Sequence, residues 1–181
     1  MKILITGVNG FVGSHLAELC LKENCEVFGL VRHRSNLDSI KQISDKIILY
    51  KGTITDFTSV DRVVQEVNPE IIFHLAAQSF VPYSWIAPQE TMSINVLGAL
   101  NILEAVKKHS NKCIVHLVGT SEEYGMVYPN EIPIIETNQL RPLSPYGVSK
   151  VAQEELGYVY YKSYGIKVVL TRGFNHFCSR R

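Results

Sequence analysis

The apolar positions of this chain fall into short uninterrupted runs, separated by longer stretches in which they recur every three or four residues. Ile3, Leu4 and Ile5 form the first run, and His15, Leu16, Ala17, Leu19 and Leu21 begin the first helical pattern, so the opening reads as strand, turn and helix. Glu26–Val31 reads as a second strand, followed by the polar Arg32-His33-Arg34-Ser35-Asn36 and a short helix over residues 37–43. Residues 46–50 form a third strand. Asp56 is placed to cap a helix whose apolar positions Phe57, Val60, Val63, Val64 and Val67 stop at Asn68-Pro69. Residues 71–75 are a fourth strand. A helix over residues 89–108 carries Ile94, Leu97, Leu100, Ile102, Leu103 and Val106, which core packing explains. Residues 113–118 make a fifth strand, 146–164 another long helix and 166–170 a sixth strand.

Strands that alternate with helices, and that are apolar throughout, predict an α/β architecture: a doubly wound parallel sheet between two helical layers. No internal repeat interrupts it. The one long irregular stretch, residues 125–145, is rich in proline and polar side chains, and such a loop in a compact domain is usually functional or mobile.

The turn between the first strand and helix carries glycines at positions 7, 10 and 13. Each has its own reason: Gly7 for a tight turn, Gly10 for the approach of a pyrophosphate to the backbone, Gly13 for close packing of helix on strand. The N–H groups and positive dipole end of the new helix then face the phosphates. Strand, glycine triplet and helix in this order predict a dinucleotide-binding (Rossmann) fold.

Composition narrows the partners. With 181 residues, 46% hydrophobic, the chain can bury one core, and its formal net charge of +1 offers no electrostatic footprint for nucleic acid or an anionic membrane. A small molecule is the expected partner. Cys20, Cys25, Cys113 and Cys178 show no C-x-x-C spacing and no signal peptide precedes the first strand, which points to reduced thiols and a cytoplasmic protein. No apolar run approaches membrane-spanning length, and nothing has metal-ligand spacing.

Two stretches carry candidate chemistry. After the second strand the chain reads Val31-Arg32-His33-Arg34, with no carboxylate to accept the adenosine ribose hydroxyls, so Arg32 favours the extra phosphate of NADP. Leu75-Ala76-Ala77-Gln78 follows the fourth strand, where small side chains let a cofactor lie against the backbone. Tyr146 and Lys150 are four apart at the start of a helix and share a face. An ammonium beside the phenol would lower its pKa and make Tyr146 a candidate general base. Thr120 and Glu122 leave the end of the fifth strand, where they would either face the crevice or cap a turn. His74 and His116 lie within strands and are expected to be packed.

Three signatures, T-G-x-x-G-F-x-G at residues 6–13, H-L-A-A-Q-S at 74–79 and S-P-Y-G-x-S-K at 144–150, make the whole chain resemble the N-terminal part of an extended short-chain dehydrogenase/reductase acting on nucleotide sugars. Val31-Arg32, T-S-E-x-Y-G at 120–125, and F-N-H followed by R-R at 174–181 resemble most the GDP-mannose 4,6-dehydratase family. The resemblance implies dehydration of a nucleotide-bound hexose such as GDP-mannose, with transient hydride transfer to NADP. Tyr146, assisted by Lys150, would take the C4 hydroxyl proton, Glu122 the C5 proton, and Thr120 would hydrogen-bond the oxygen at C4. It further implies cofactor contacts from Gly7, Asn9, Gly10, Phe11, Val12 and Gly13, from Leu75, Ala76, Ala77, Gln78 and Ser79, and from Tyr146, Lys150, His176 and Arg181. Thr53 and Ile54 fall beside the adenine, with Thr53 where the family usually has aspartate. Residues 1–173 would form the cofactor domain and 174–181 the start of a truncated substrate-binding region. The family also implies a homo-oligomer paired through the two long helices. A reductase or epimerase of the same superfamily, or an NADP-binding module without turnover, is the alternative.

Overall fold

Three successive apolar residues leave no face of the first strand for water, so it has to be buried on both sides. The computed structural model, which describes residues 1–110 and 112–179, places it at the centre of a six-stranded parallel sheet. The strands are β1 (Lys2–Thr6), β2 (Glu26–Val31), β3 (Ile48–Lys51), β4 (Ile71–His74), β5 (Ile114–Thr120) and β6 (Lys167–Gly173), in the order β3-β2-β1-β4-β5-β6. The helices are α1 (Phe11–Lys22), α2 (Phe57–Val67), α3 (Val81–Ile86), α4 (Pro88–Met92), α5 (Gly98–His109) and α6 (Pro145–Tyr164). This is the doubly wound Rossmann arrangement that the pattern predicts.

Alternation of side chains along each strand divides the core into two layers. Leu4, Leu30, Ile72, Val115 and Leu117 pack with Val60, Val63, Val64 and Val67 of α2, Ile102 and Leu103 of α5, and Tyr160 of α6. Ile3, Ile5, Val27 and Val31 point the other way, onto Ala17 and Cys20 of α1 and onto Ile40 and Ile43 of a 3-10 turn at Asp38–Ile43. Each fully buried side chain of this kind contributes about 1.5–3 kcal/mol. Coverage on both faces does not extend over the whole sheet. At β6, α6 packs one face, while Val169 on the other is 47% exposed.

Most element boundaries shift by one to three residues from the expected ones. α1 starts at Phe11 rather than His15, because Gly10 is its N-cap and the glycine turn runs directly into the helix. Asp56 caps α2 as expected, accepting from the Thr58 and Ser59 N–H groups at 3.2 and 3.0 Å. Two features depart further. α3, with no helical period in Val-Pro-Tyr-Ser-Trp-Ile, was not foreseen; and the helix expected over 89–108 is interrupted by a π turn at Ser93–Leu97 between α4 and α5. That turn carries Asn95, which is fully buried.

The loop over 125–145 is tied at its neck. Gly125 bridges Arg141, and the Arg141 guanidinium holds Glu131 with two bonds of 2.8 and 2.7 Å. All four cysteines are free, and no helix among the described residues is long and apolar enough to cross a membrane.

Candidate active site at the ends of the central strands

Connections from β1 and β4 leave the sheet toward opposite layers, and at that switch point opens a crevice of about 1180 Å³. The glycine turn forms one wall. Gly7 has φ +71°, and a Cβ there would meet the Ala76 nitrogen at 2.9 Å. A Cβ on Gly13 would collide with the Gly7 carbonyl and with Val8 Cα, so this glycine lets the helix start fold over its own turn rather than over the strand. Asn9, Gly10, Phe11 and Val12 continue that wall, so that the first turn of α1 opens into the crevice with its N–H groups forward. Its backbone cradle and dimensions fit an extended dinucleotide.

Beyond β2, Arg32 lines both the crevice and a recess of about 560 Å³ shared with Ser35, Asn36 and Asp38. Asp38, whose carboxylate accepts from the Asn36 side chain at 2.9 Å, was not anticipated and puts a negative charge beside Arg32. Thr53 and Ile54 line the same end; Ile54 is also held by its carbonyl, which accepts from Asn101 at 2.8 Å.

The floor is the segment Leu75, Ala76, Ala77, Gln78 and Ser79 after β4. Thr6 fixes its start: the hydroxyl accepts from the Ala76 N–H at 3.2 Å and lies 2.9 Å from Nδ1 of His74. His74 is wholly buried, and burial pushes its pKa down to about 3, so it stays neutral and packed as expected. His116 packs its ring edge-on to Phe73 and bonds the Thr171 hydroxyl at 2.8 Å.

Asn95 ties this floor to the far wall. Its side chain accepts from the Gln78 N–H at 2.8 Å and donates to the Gln78 carbonyl at 3.1 Å and to the Ser149 hydroxyl at 2.9 Å. Ser149 in turn donates to the Tyr146 carbonyl at 2.6 Å. The sequence signal for Asn95 was weak: one asparagine inside an apolar helical pattern.

On that far wall stand Thr120, Tyr146 and Lys150. Ser144 caps α6 through the Gly147 N–H at 3.0 Å, which places Tyr146 and Lys150 on the first turns. The expected ammonium–phenol pair is not formed. Lys150 Nζ donates instead to the Val118 carbonyl at 2.8 Å and to Gln153 Oε1 at 3.1 Å. Burial lowers the Lys150 pKa to about 8. Burial also pushes the Tyr146 phenol upward, against the lowering by its hydrogen bond to Thr120, while the Glu123 and Glu122 carboxylates add to the rise. The phenol of the protein alone is thus not activated, contrary to the reading from spacing.

Thr120 does both things its position allows. It lines the crevice, and its hydroxyl caps the short turn Ser121–Glu123, accepting from the Glu122 N–H at 3.3 Å. Glu122 is exposed and outside the residues that line the crevice. His176 lines the crevice close to Gly173, whereas Arg181 lies outside the described residues.

A family model described as GDP-mannose 4,6 dehydratase matches residues 4–181. The chain belongs to this family. It is 35% identical over 191 residues to GDP-mannose 4,6-dehydratase of Yersinia enterocolitica, covering 99% of this chain and 51% of that protein. The human GDP-mannose 4,6 dehydratase is 34% identical over 98% of the chain and 50% of its own length. Among solved structures, UDP-glucose 4-epimerase of Thermus thermophilus in complex with NAD superposes with a TM-score of 0.85 at 33% identity, covering 95% of this chain and 54% of that one. The chain therefore spans about half the length of the family members it matches. Its fold places it among the epimerases and dehydratases of the extended short-chain dehydrogenases/reductases.

Proposed function

We propose that this chain is the cofactor-binding and catalytic core of a nucleotide-sugar 4,6-dehydratase that uses NADP. The observation that carries the reading is the meeting of Thr120, Tyr146 and Lys150 on one wall of a crevice whose opposite wall is a glycine cradle at a helix N-terminus. GDP-mannose is the substrate proposed, from the relatives that bear its name. Held between the glycine turn and the segment after β4, a nicotinamide cofactor would supply reversible hydride chemistry, removing hydride from the sugar C4 and giving it back at C6.

The residues supply the rest. Tyr146 takes the C4 hydroxyl proton, and Thr120, on the same wall of the crevice, holds the oxygen at C4. Because Lys150 is anchored to Val118 and Gln153, its positive charge is held at a fixed place beside the crevice rather than on the phenol. Glu122 removes the C5 proton that the C4 ketone makes acidic and passes it to the departing C6 hydroxyl, which leaves as water; after reduction at C6, C5 regains a proton through Glu122 while Tyr146 releases to solvent the one it took. Arg32, with Ser35 and Asn36 in its recess, recognises the 2′-phosphate of NADP.

The exposure of Glu122 favours a second reading, a reductase or epimerase that needs no C5 base. Incubation of the chain with NADP⁺ and GDP-mannose, followed by chromatographic separation of the nucleotide sugars and mass spectrometry, distinguishes dehydration from epimerisation. A product lighter by one water supports dehydration. An epimer of unchanged mass supports the second reading, and dinucleotide binding without any product leaves a binding module. A homodimer through α6 is also proposed, supported by exposed Val148 and Val159, about three turns apart on one side of that helix. A monomeric mass in sedimentation at high concentration would refute it.

A further inference from the structure

Glu123 is the next residue after the proposed C5 base, and it is wholly buried. One oxygen is accounted for: Oε1 accepts from the Thr120 N–H at 2.6 Å, half of a capping box around the Ser121–Glu123 turn. Oε2 is not. It is shut off from water with no donor bonded to it, and the Arg172 guanidinium nearest it stands 3.7 Å away at Nε. Arg172 is committed elsewhere, forked onto both oxygens of Glu154 in α6 and donating to the Glu136 carbonyl at 2.8 Å and to the Tyr124 hydroxyl at 3.1 Å.

Two carboxyl groups therefore share one guanidinium, which neutralises the one it forks. An ionised Glu123 would be a second buried carboxylate beside a guanidinium already forked by Glu154, with an unfilled acceptor. A proton on Oε2 removes both costs, since it cancels the charge and supplies the donor that Glu154 faces. The groups around Glu123 are Glu154 and Tyr146 with Lys150 on α6, Arg172 on β6, and Glu122 and Tyr124 on its own segment. Of these, Lys150 and Arg172 favour its ionised form and Glu154 opposes it. Gly119 belongs to the same arrangement, because a Cβ there would collide with Glu123 Oε1.

We propose that Glu123 is a positioning residue of the crevice, held as a neutral carboxylic acid that donates to Glu154 while its other oxygen fixes the Thr120 backbone beside Tyr146. A capping box alone needs Oε1 and explains neither the burial nor the second oxygen. The inference rests on the proposed catalytic role of Thr120 and Tyr146, but its proton can be observed without turnover.

Burial and Glu154 raise the Glu123 pKa to about 7. Infrared spectroscopy of the intact chain should show a protonated-carboxyl band that fades as the pH passes through neutrality and is missing in Glu123→Gln. Glu154→Gln frees Arg172 to pair with Glu123, so the band should vanish at neutral pH in a variant that keeps Glu123. NMR titration of Lys150 gives the readout that a cap would not move. Glu123 ionisation acts on the Lys150 charge, so the wild-type Lys150 signals should show a step as Glu123 loses its proton near neutrality, and that step should be missing in Glu123→Gln. Absence of the band from the wild type, its survival in Glu123→Gln, or a wild-type Lys150 titration without that step would each overturn the proposal. Failure of the GDP-mannose assay would leave all three signals in place, so the two readings fail separately.

Discussion

The two walls of the crevice are built by different means. The β1 wall is shaped by backbone sterics, since Gly7 and Gly13 are where they are because no side chain fits. The β5–α6 wall is shaped by buried polar side chains that bond one another or the backbone: Asn95 with Ser149, Lys150 with Gln153, and Glu123 with the Thr120 N–H. A steric wall tolerates no bulk but is indifferent to protons. A polar wall tolerates similar bulk but depends on every donor meeting its acceptor.

Gly13→Val should break the steric wall most severely. The new side chain meets the Gly7 carbonyl, so we expect loss of measurable dinucleotide binding by calorimetry together with about 1–3 kcal/mol of stability from overpacking. On the polar wall, Asn95→Ala should cost about 1–3 kcal/mol in denaturant unfolding, because it strands the Gln78 N–H and the Ser149 hydroxyl's partner site. If Asn95→Ala leaves stability untouched, the contrast between the walls is wrong. Arg32→Ala should weaken NADP⁺ binding about 10- to 150-fold, as loss of about 1.5–3 kcal/mol from a charged hydrogen bond implies, while NAD⁺ binding barely changes. Equal losses for both dinucleotides would remove Arg32 from the phosphate.

Smaller effects concern pH. His74 has a pKa of about 3 in the folded chain, below the ordinary value of 6.5, so the unfolded state binds the extra proton between them. Stability should therefore fall as the pH drops below about 6.5, and a His74→Gln variant should show a flatter acid limb. The Arg141 guanidinium holds Glu131 down to about 2, so its contribution is present above the ordinary carboxylate range and is lost as the pH falls through the folded value. Arg141→Ala should give the smallest loss, since the pair lies at the surface.

The same contrast explains what the sequence revealed. Gly7, Gly10 and Gly13 could be read at once, because a steric requirement leaves a residue type that nothing else replaces, and apolar runs located all six strands. Tyr146 and Lys150 were found by spacing, but where the ammonium points depends on Gln153 and the Val118 carbonyl, which spacing does not encode. Glu123 and Asn95 were missed for a related reason. A buried polar side chain has the same one-letter code as an exposed one, and its partners are far away in sequence: 54 residues separate Asn95 from Ser149. The π turn that carries Asn95 is likewise silent in a pattern of apolar residues that continues through it.

The order of strands also has a consequence for how the molecule comes into being on the ribosome. β1 gains β2 on one side early, but its other neighbour, β4, pairs Ile3 with Ile71 and Thr6 with His74. At about 5–20 residues per second, several seconds pass between the emergence of β2 and that of β4. During that interval the glycine turn has no Ala76 against which to settle. The cradle written in the first residues is completed only when the segment after β4 arrives, so a nascent chain stopped before it should hold no dinucleotide.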